Sequence, residues 1–503
     1  MKKNNAFAIP QRQSQLAIIF ILIRSFKRLL KQVWPLFIPL LLGGSSGSSI
    51  YSRIEIGLAG VGLLGIIPSV IAYFKYYYQL SDKELVINSG LLKKVKLNIP
   101  FERIQSVNFN QTFLHQMFDV TEVEIETAGS DSQETKIDAL DMATANALRE
   151  RILRLKAATR GDQAEHVEED ISEASKHSIL ALDIRELLKV GLVQNHLKPL
   201  GVVTGLFFTI YSYSYTLDGE IENAVRGYYQ DGLNLIQGQT ISSIVIVAIG
   251  ALLASFLYSV ISTVLKYYNL KFWRKGAKFQ VVHGLLTRRE YAALDNKIQI
   301  LKWGQNILER WIGVYNITFA QAKSSEEKRE SGSIKIPGCD KDHVQFVQKT
   351  WLGDDVSKGM VYMKVSRHMF YRTLKYLLFA FGIIITILVI QQLLLPLIAV
   401  AVLLPILIYM AWLNYKKKRF AYNEAEIYVG GGTIGLRHAI LPLYKIQGVK
   451  IHENPYQWRR KLASLIVYTA GGKIVIPYIE KKQALSLMDR LLYHVELSQE
   501  AWM

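Results

Sequence analysis

The residues able to do chemistry are few and are not placed for it. The chain has 10 histidines and one cysteine, Cys339. Its histidines lack the His-x-x-x-His spacing, with a third partner, that would put two imidazoles on one helix face around zinc. Gly430-Gly431-Gly432 sits between two strand-like runs with no Gly-Lys-Ser/Thr after it, so it reads as a hairpin or bulge and not as a phosphate cradle. Cys339 has no base near it in sequence and reads as a buried or incidental thiol. The expectation is a protein with no catalytic residues, no metal and no cofactor.

What does recur is charge. Arg103, Lys297 and Lys445 each stand two residues before a glutamine: Gln105, Gln299 and Gln447. Lys93, Lys94 and Lys96, then Arg288 and Arg289, then Arg437 cluster on the strand-like run before them. Such positions serve either as solvated strand faces and rims or as a surface held against anionic headgroups, where each Lys or Arg contributes about 1 kcal/mol. The candidate lipid or partner contacts are therefore Lys93, Lys94, Arg103, Arg288, Arg289, Lys297, Arg437 and Lys445. The recurring glutamines suggest side chains bonded to strand backbone.

The elements that must position these residues follow from composition. Half of the 503 residues are hydrophobic and 20% are charged, yet Lys plus Arg exceeds Asp plus Glu by 60 to 42, a net charge of +18. Disordered and simple DNA-binding classes carry more charge and a negative hydropathy. A membrane protein with basic cytoplasmic parts fits both numbers. Apolar runs near the 20 residues needed to cross a bilayer occur in three pairs, at 29–43 and 54–74, 197–215 and 241–264, and 374–390 and 393–412. Basic residues flank one end of each hairpin, while Thr216–Thr240 is acidic, so the bias of positive charge predicts cytoplasmic termini and modules with that loop outside. Aromatics crowd the junctions, at Tyr73 to Tyr78, Tyr267 to Trp273 and Trp412 to Tyr422, as an interfacial belt would. The spans carry hydroxyls such as Thr204 and Thr209 but almost no ionisable groups, which disfavours a transport site.

After each hairpin one motif returns. Gly90, Gly284 and Gly432 each lie 15 residues before Gln105, Gln299 and Gln447, and 22 residues on from each glutamine come Thr127-Ala-Gly129, Gln321-Ala-Lys323 and Thr469-Ala-Gly471. Alternating runs such as Glu122-Val-Glu-Ile-Glu126 predict half-buried antiparallel strands. The period then turns helical: Ala145, Leu148, Ile152 and Leu155 line one face of a closing helix, as do Leu485, Met488, Leu492 and Val495.

The series Gly-Leu-Leu, Ile-Pro-x-x-Arg-Ile-Gln, Thr-Ala-Gly after a membrane hairpin resembles the bacterial pleckstrin-homology-like domains of YdbT-type membrane proteins. The resemblance covers nearly the whole chain. It implies an α+β membrane protein: six transmembrane helices in three hairpins, each followed by a cytoplasmic PH-like β-barrel of seven strands in two sheets, capped by a C-terminal helix. It also implies a setting in cell-envelope or stress defence and a smaller, YdbS-like single-unit membrane protein as partner. The middle copy departs most, with Leu294-Asp295 where the others read Pro100-Phe101 and Pro442-Leu443, Lys323 for Gly and a charged insert at 324–331.

The expected organisation is an interfacial helix and first hairpin at 1–74, a first module at 75–158, an acidic linker at 159–178, an interfacial helix and second hairpin at 179–265, a second module at 266–353, a third interfacial helix and hairpin at 354–412, and a third module at 413–497. The expected function is a non-enzymatic membrane scaffold whose modules bind lipid headgroups or protein partners, not nucleic acid. The rival is a transporter or exporter component using the six-helix bundle.

Overall fold

The computed structural model describes residues 7–23, 70–81, 83–90, 94–127, 135–160, 178–194, 201, 241–322, 333–353 and 359–498. The chain divides into two compact units, the first comprising 1–173, 195–269 and 282–290, the second 174–194, 270–281 and 291–503. Lys93, the acidic linker at 161–176, the loop 216–240, the whole first span, most of the second and all but one residue of the third lie outside the described residues.

The repeat seen in sequence is a repeat of strands. The first copy runs β1 (Tyr77–Leu80), β2 (Glu84–Ser89), β3 (Val95–Pro100), β4 (Ile104–Thr112), a short helix α1 (Phe113–Met117), β5 (Val120–Thr127), β6 (Thr135–Asp141) and the closing helix α2 (Met142–Arg160). The second opens with β7 (Ser178–Ala181) and helix α3 (Ile184–Leu192), passes through the long helix α4 (Ile241–Tyr267), then runs β8 (Lys271–Lys275), β9 (Lys278–His283), β10 (Thr287–Leu294), β11 (Ile298–Gln305), α5 (Ile307–Trp311), β12 (Tyr315–Gln321), β13 (Ser333–Cys339) and α6 (Lys341–Leu352). The third is β14 (Val361–Lys364), α7 (His368–Ile390), α8 (Leu394–Lys417), β15 (Arg419–Tyr422), β16 (Glu426–Gly431), β17 (Leu436–Pro442), β18 (Gly448–His452), α9 (Pro455–Arg459), β19 (Leu462–Thr469), β20 (Gly472–Glu480) and α10 (Lys481–Leu497). A shift of 194 residues carries β1 to β5 onto β8 to β12, and a further 148 carries them onto β15 to β19.

Two backbone positions recur at the same place in every copy. Gly90, Gly284 and Gly432 all have φ between +108° and +123°, which an L side chain rarely adopts. A Cβ at Gly284 would fall 2.0 Å from the Thr287 carbonyl oxygen, and one at Gly432 would fall 2.3 Å from that of Gly435. Asp119, Gly313 and Lys461, each in the turn after the short helix, share a left-handed φ of +50°, +73° and +54°.

Alternation places one face of each strand in a core. In the first copy Leu85, Ile87, Ile99, Val107, Val123, Ile125 and Ile137 meet Ala145, Leu148 and Ile152 of α2, all buried. The third copy matches it with Ile427, Val429, Leu441, Leu465, Val467, Ile474 and Ile476 against Ala484, Leu487 and Leu491 of α10. Ile300 and Ala320 of the second copy join that last cluster. Part of the expected aromatic belt is instead interior: Tyr73, Tyr78, Tyr267, Phe272 and Phe420 are buried, and Phe272, Phe279 and Phe319 pack on one another at centroid distances of 5.0 to 6.3 Å. Phe74 remains half exposed.

The modules are not closed barrels. In the second unit a seven-stranded sheet has the order β13-β12-β11-β17-β16-β15-β14, so half of the second copy and half of the third form one surface, while β18-β19-β20 forms a sheet of its own. In the first unit β1-β2-β3 is likewise separate, and β6-β5-β4 continues into the start of β10. The segments expected as interfacial helices begin as strands: β7 pairs with β8 and β14 with β15, and at the same place in the first copy Gln11 makes a single bridge to Tyr78. A strand precedes the helix because it covers an edge that would otherwise be left bare.

The six expected membrane helices are not all seen among the described residues. Among the described residues two helices are long and apolar enough to cross a bilayer, His368–Ile390 and Pro396–Lys417, joined by the tight turn at Gln391 and Gln392. The expected fourth span falls on α4, of which Leu252–Tyr267 is a shorter apolar stretch.

Candidate functional site

The feature that orders the recurring charges is a strand splice made twice. Across β4 and β10, Arg288 faces Gln111 and Arg289 faces Asn110. Across β11 and β17, Leu436 faces Gln305 and Arg437 faces Gly304, followed by His438 opposite Trp303, Ala439 opposite Lys302 and Ile440 opposite Leu301. Under the repeat shift these are the same positions, so one register joins the first copy to the second and the second to the third. The glutamine at the end of β11 and the one a residue before the end of β4 are buried and donate through Nε2 to equivalent carbonyls, Gln111 to Val120 at 3.1 Å and Gln305 to Val314 at 3.0 Å.

The candidate basic residues separate into three groups. Lys94, on the approach to β3, and Arg103, at the end of the short turn 101–103, are exposed. Arg288, Arg289 and Arg437 are exposed but lie on splice strands. Lys297 and Lys445 are interior, 7% and 0% exposed, so the solvated or headgroup-facing position expected for this pair does not describe them. The reason lies in what surrounds Lys445: its ammonium donates to the carbonyl of Asn296 and sits 5.2 Å from the Tyr444 ring. Of the recurring glutamines, Gln299 is fully buried while Gln447 is exposed and takes part through its backbone, which donates to Tyr468 O at 2.9 Å.

Beside Lys445 lies a charge that sequence reading noted only as a departure. Asp295 receives both guanidinium nitrogens of Arg274, at 2.6 and 3.1 Å, and its backbone carbonyl accepts from Trp351 Nε1 at 3.2 Å. Arg274 also lies over the Phe279 ring at 4.5 Å. A bidentate pair of this kind fixes orientation as well as charge. Where the outer copies carry buried Phe101 and Leu443, the middle copy carries a carboxylate, beside which an arginine and a buried ammonium converge. Burial pushes the Cys339 thiol above its usual range, with Asp340 adding to the effect, which does not suit a nucleophile.

A second surface was missed in the sequence because each part of it is short. The helix α5 is capped by Asn306, whose side chain accepts from Glu309 N at 2.8 Å while Glu309 returns a bond to Asn306 N at 2.7 Å. Asn454 and Gln457 repeat this box at α9. The capped turn exposes Ile307, Leu308, Trp311 and Ile312, with Trp311 80% exposed. Asn306 Nδ2 donates to Val193 O at 2.6 Å, which ties the turn to the end of α3, where Ile184, Leu188 and Leu192 form an exposed apolar stripe. Close by, Lys417 at the foot of α8 donates to Thr433 O and Ile434 O at 2.7 and 3.0 Å, just ahead of the splice residue Leu436.

The first unit repeats the arrangement. Leu285 N donates to Leu265 O and Gly284 N to Tyr268 O, both at 2.9 Å, fastening the β9–β10 turn to the foot of α4. Gln116 of α1 donates to Leu285 O at 3.1 Å. Phe113, Met117, Phe118, Leu285 and Leu286 are all exposed around that junction. Each splice thus begins at the foot of an apolar helix, beside a turn whose large apolar side chains face outward.

Tandem modules of two small antiparallel sheets with a closing helix, fastened to apolar helices, define a membrane protein built on repeated PH-like domains. The bacterial PH domain model matches the chain three times, at residues 25–156, 225–354 and 377–495, and the chain belongs to that family. It is 21% identical over 466 residues to the UPF0699 transmembrane protein YdbT of Bacillus subtilis (strain 168), covering 91% of this chain and 92% of that one. It is 32% identical over 110 residues to the UPF0699 transmembrane protein YdbS of the same organism, covering 21% of this chain and 67% of the relative.

Proposed function

We propose that the protein is a non-enzymatic membrane scaffold, in which spliced PH-like modules are held at the cytoplasmic leaflet and present their rims to lipid headgroups and to protein partners, among them a single-module relative of YdbS type. The observation that carries this reading is the apolar rim at the foot of each splice. Trp311 and Ile312 beside α8, and Phe113 and Met117 beside α4, lie where a helix leaving the bilayer meets its module. Aromatic and large apolar side chains in that place enter the interface, where burying apolar area contributes about 25 cal/mol per Å². Exposed Lys94, Arg103 and Arg288 add attraction for anionic headgroups.

Full-length protein in bilayers containing brominated lipids tests the rim. Quenching of tryptophan emission should fall in Trp311→Phe relative to wild type; equal quenching removes the rim from the membrane. Changing Lys94, Arg103 and Arg288 together to Gln should lower the enrichment of a labelled anionic lipid around the reconstituted chain and flatten its dependence on salt. Reconstituted protein that moves a solute across vesicles, and loses this on mutation of Thr204 or Thr209, would replace the scaffold by a transport component.

A further inference from the structure

The splice uses the fourth strand of one copy and the third strand of the next, which leaves one of each over. The unused third strand is β3, at the edge of β1-β2-β3; the unused fourth strand is β18, at the edge of β18-β19-β20. Among the described residues no strand pairs with the outer side of either. The two edges are therefore the two halves of a joint that the chain already makes twice, and their register is fixed by those two precedents. Carried through the repeat shift, it sets Lys94 opposite Glu453, Val95 opposite His452, Lys96 opposite Ile451, Leu97 opposite Lys450 and Asn98 opposite Val449.

The side chains at these edges differ from the internal joints in a way that suits pairing between separate chains. Where the inner strands carry buried Gln111 and Gln305, β18 is followed by Glu453, with its carboxylate held on the rim by Lys481 at 2.9 Å. Where β10 and β17 carry Arg288 and Leu436, β3 is preceded by exposed Lys94. The inherited register places that lysine opposite the carboxylate and Lys96 one step diagonal to it, while no two like charges face each other directly. Val95 and His452, which would meet, are both exposed. Lysines on an edge also deter unwanted pairing, but a deterrent does not require its opposite charge at the matching place on the other edge.

We propose that β18 of one copy of this chain pairs antiparallel with β3 of a second copy, in the register of the internal splices. The interface is head to tail, so it propagates from chain to chain and closes into a ring or extends as a row along the membrane.

The test is disulfide trapping of full-length protein in mild detergent and in bilayers. Cys339 is buried and stays out of the reaction. A chain carrying Val95→Cys mixed with one carrying His452→Cys should give a cross-linked dimer that neither chain gives alone. Val95→Cys mixed with Gly448→Cys, four residues off register, should not; nothing lies within 4 Å of a Cβ at Gly448, so that chain folds. Lys94→Glu should lower the yield severalfold, and adding Glu453→Lys in the partner chain should restore it. Absence of the 95–452 dimer overturns the proposal, as does a cross-link formed instead to a smaller copurifying protein or, in a chain carrying both Val95→Cys and His452→Cys, within that one chain.

Discussion

His438 stacks on Trp303 across the strand pair that joins the second and third copies, with ring centroids 5.3 Å apart and planes 19° from parallel. The Tyr428 hydroxyl lies 2.6 Å from His438 Nδ1, and Tyr428 packs on the same two rings. A ring held this way is best neutral. Burial, with the Arg419 charge beside it, lowers its pKa from 6.5 to about 4.

The splice should therefore weaken in acid. The folded protein holds His438 neutral while the unfolded chain protonates near pH 6.5, so the stabilisation is complete above that pH and is lost as pH falls toward 4. The shift corresponds to roughly 3 kcal/mol at its full extent. Thermal unfolding of the detergent-solubilised chain from pH 7.5 to 4 should show a decline that His438→Gln flattens. An unchanged slope in that variant would assign the acid sensitivity elsewhere.

Lys445 should behave as a structural residue and not as a lipid contact. Lys445→Ala removes a fully buried side chain and the donor to Asn296 O, an expected loss of about 3 kcal/mol. Lys445→Met keeps most of the volume and should cost about 1 kcal/mol. Midpoints of chemical unfolding measure both, and neither change should alter the lipid enrichment around the reconstituted protein.

Two glycines should respond differently to the same substitution. Gly313→Ala places a methyl in open space at φ +73°, where the other copies carry Asp and Lys, and should cost about 1 kcal/mol. Gly284→Ala drives its methyl into the Thr287 carbonyl at φ +113° and should cost about 3 kcal/mol or displace the turn that starts the first splice. Unfolding midpoints of the two variants decide it; equal losses would mean the turn yields without strain.

Removing the cap of α5 should loosen the rim. Asn306→Ala deletes the bond from Glu309 N and the tie to Val193 O, an expected loss of about 1 kcal/mol confined to that corner. Hydrogen exchange at Leu308 to Gly313 should quicken with little change in β19. Unaltered exchange would mean that packing alone holds the turn.

Much of the module was legible in sequence because its signals are local. Strand alternation at Val123 and Ile125 and helical stepping at Leu148 and Ile152 mark their buried faces directly, and the constant spacing from Gly90, Gly284 and Gly432 follows from a turn that only glycine can make. The splice was not legible, since a strand edge that meets another module and one that meets water show the same pattern of side chains. Lys445 misleads for a related reason. Its position matches the exposed Arg103, and its burial rests on groups the repeat does not reveal, among them the carbonyl of Asn296 from another copy. Asp295 stands out as a carboxylate where the other copies carry Phe101 and Leu443, but its partner Arg274 reads by itself as one more flanking cation. Short elements such as β7 and β14 escape because four residues before an apolar helix carry no period of their own.

Because both internal joints share one register, the copies are interchangeable at their seams. A gene that lost its middle third would still encode mating edges, with β4 meeting β17 and Gln111 falling opposite Leu436. One that gained a copy would find the same fit waiting at each end. Changes in copy number therefore require no redesign of the contacts between neighbours, and length is a property that this architecture can vary by recombination alone.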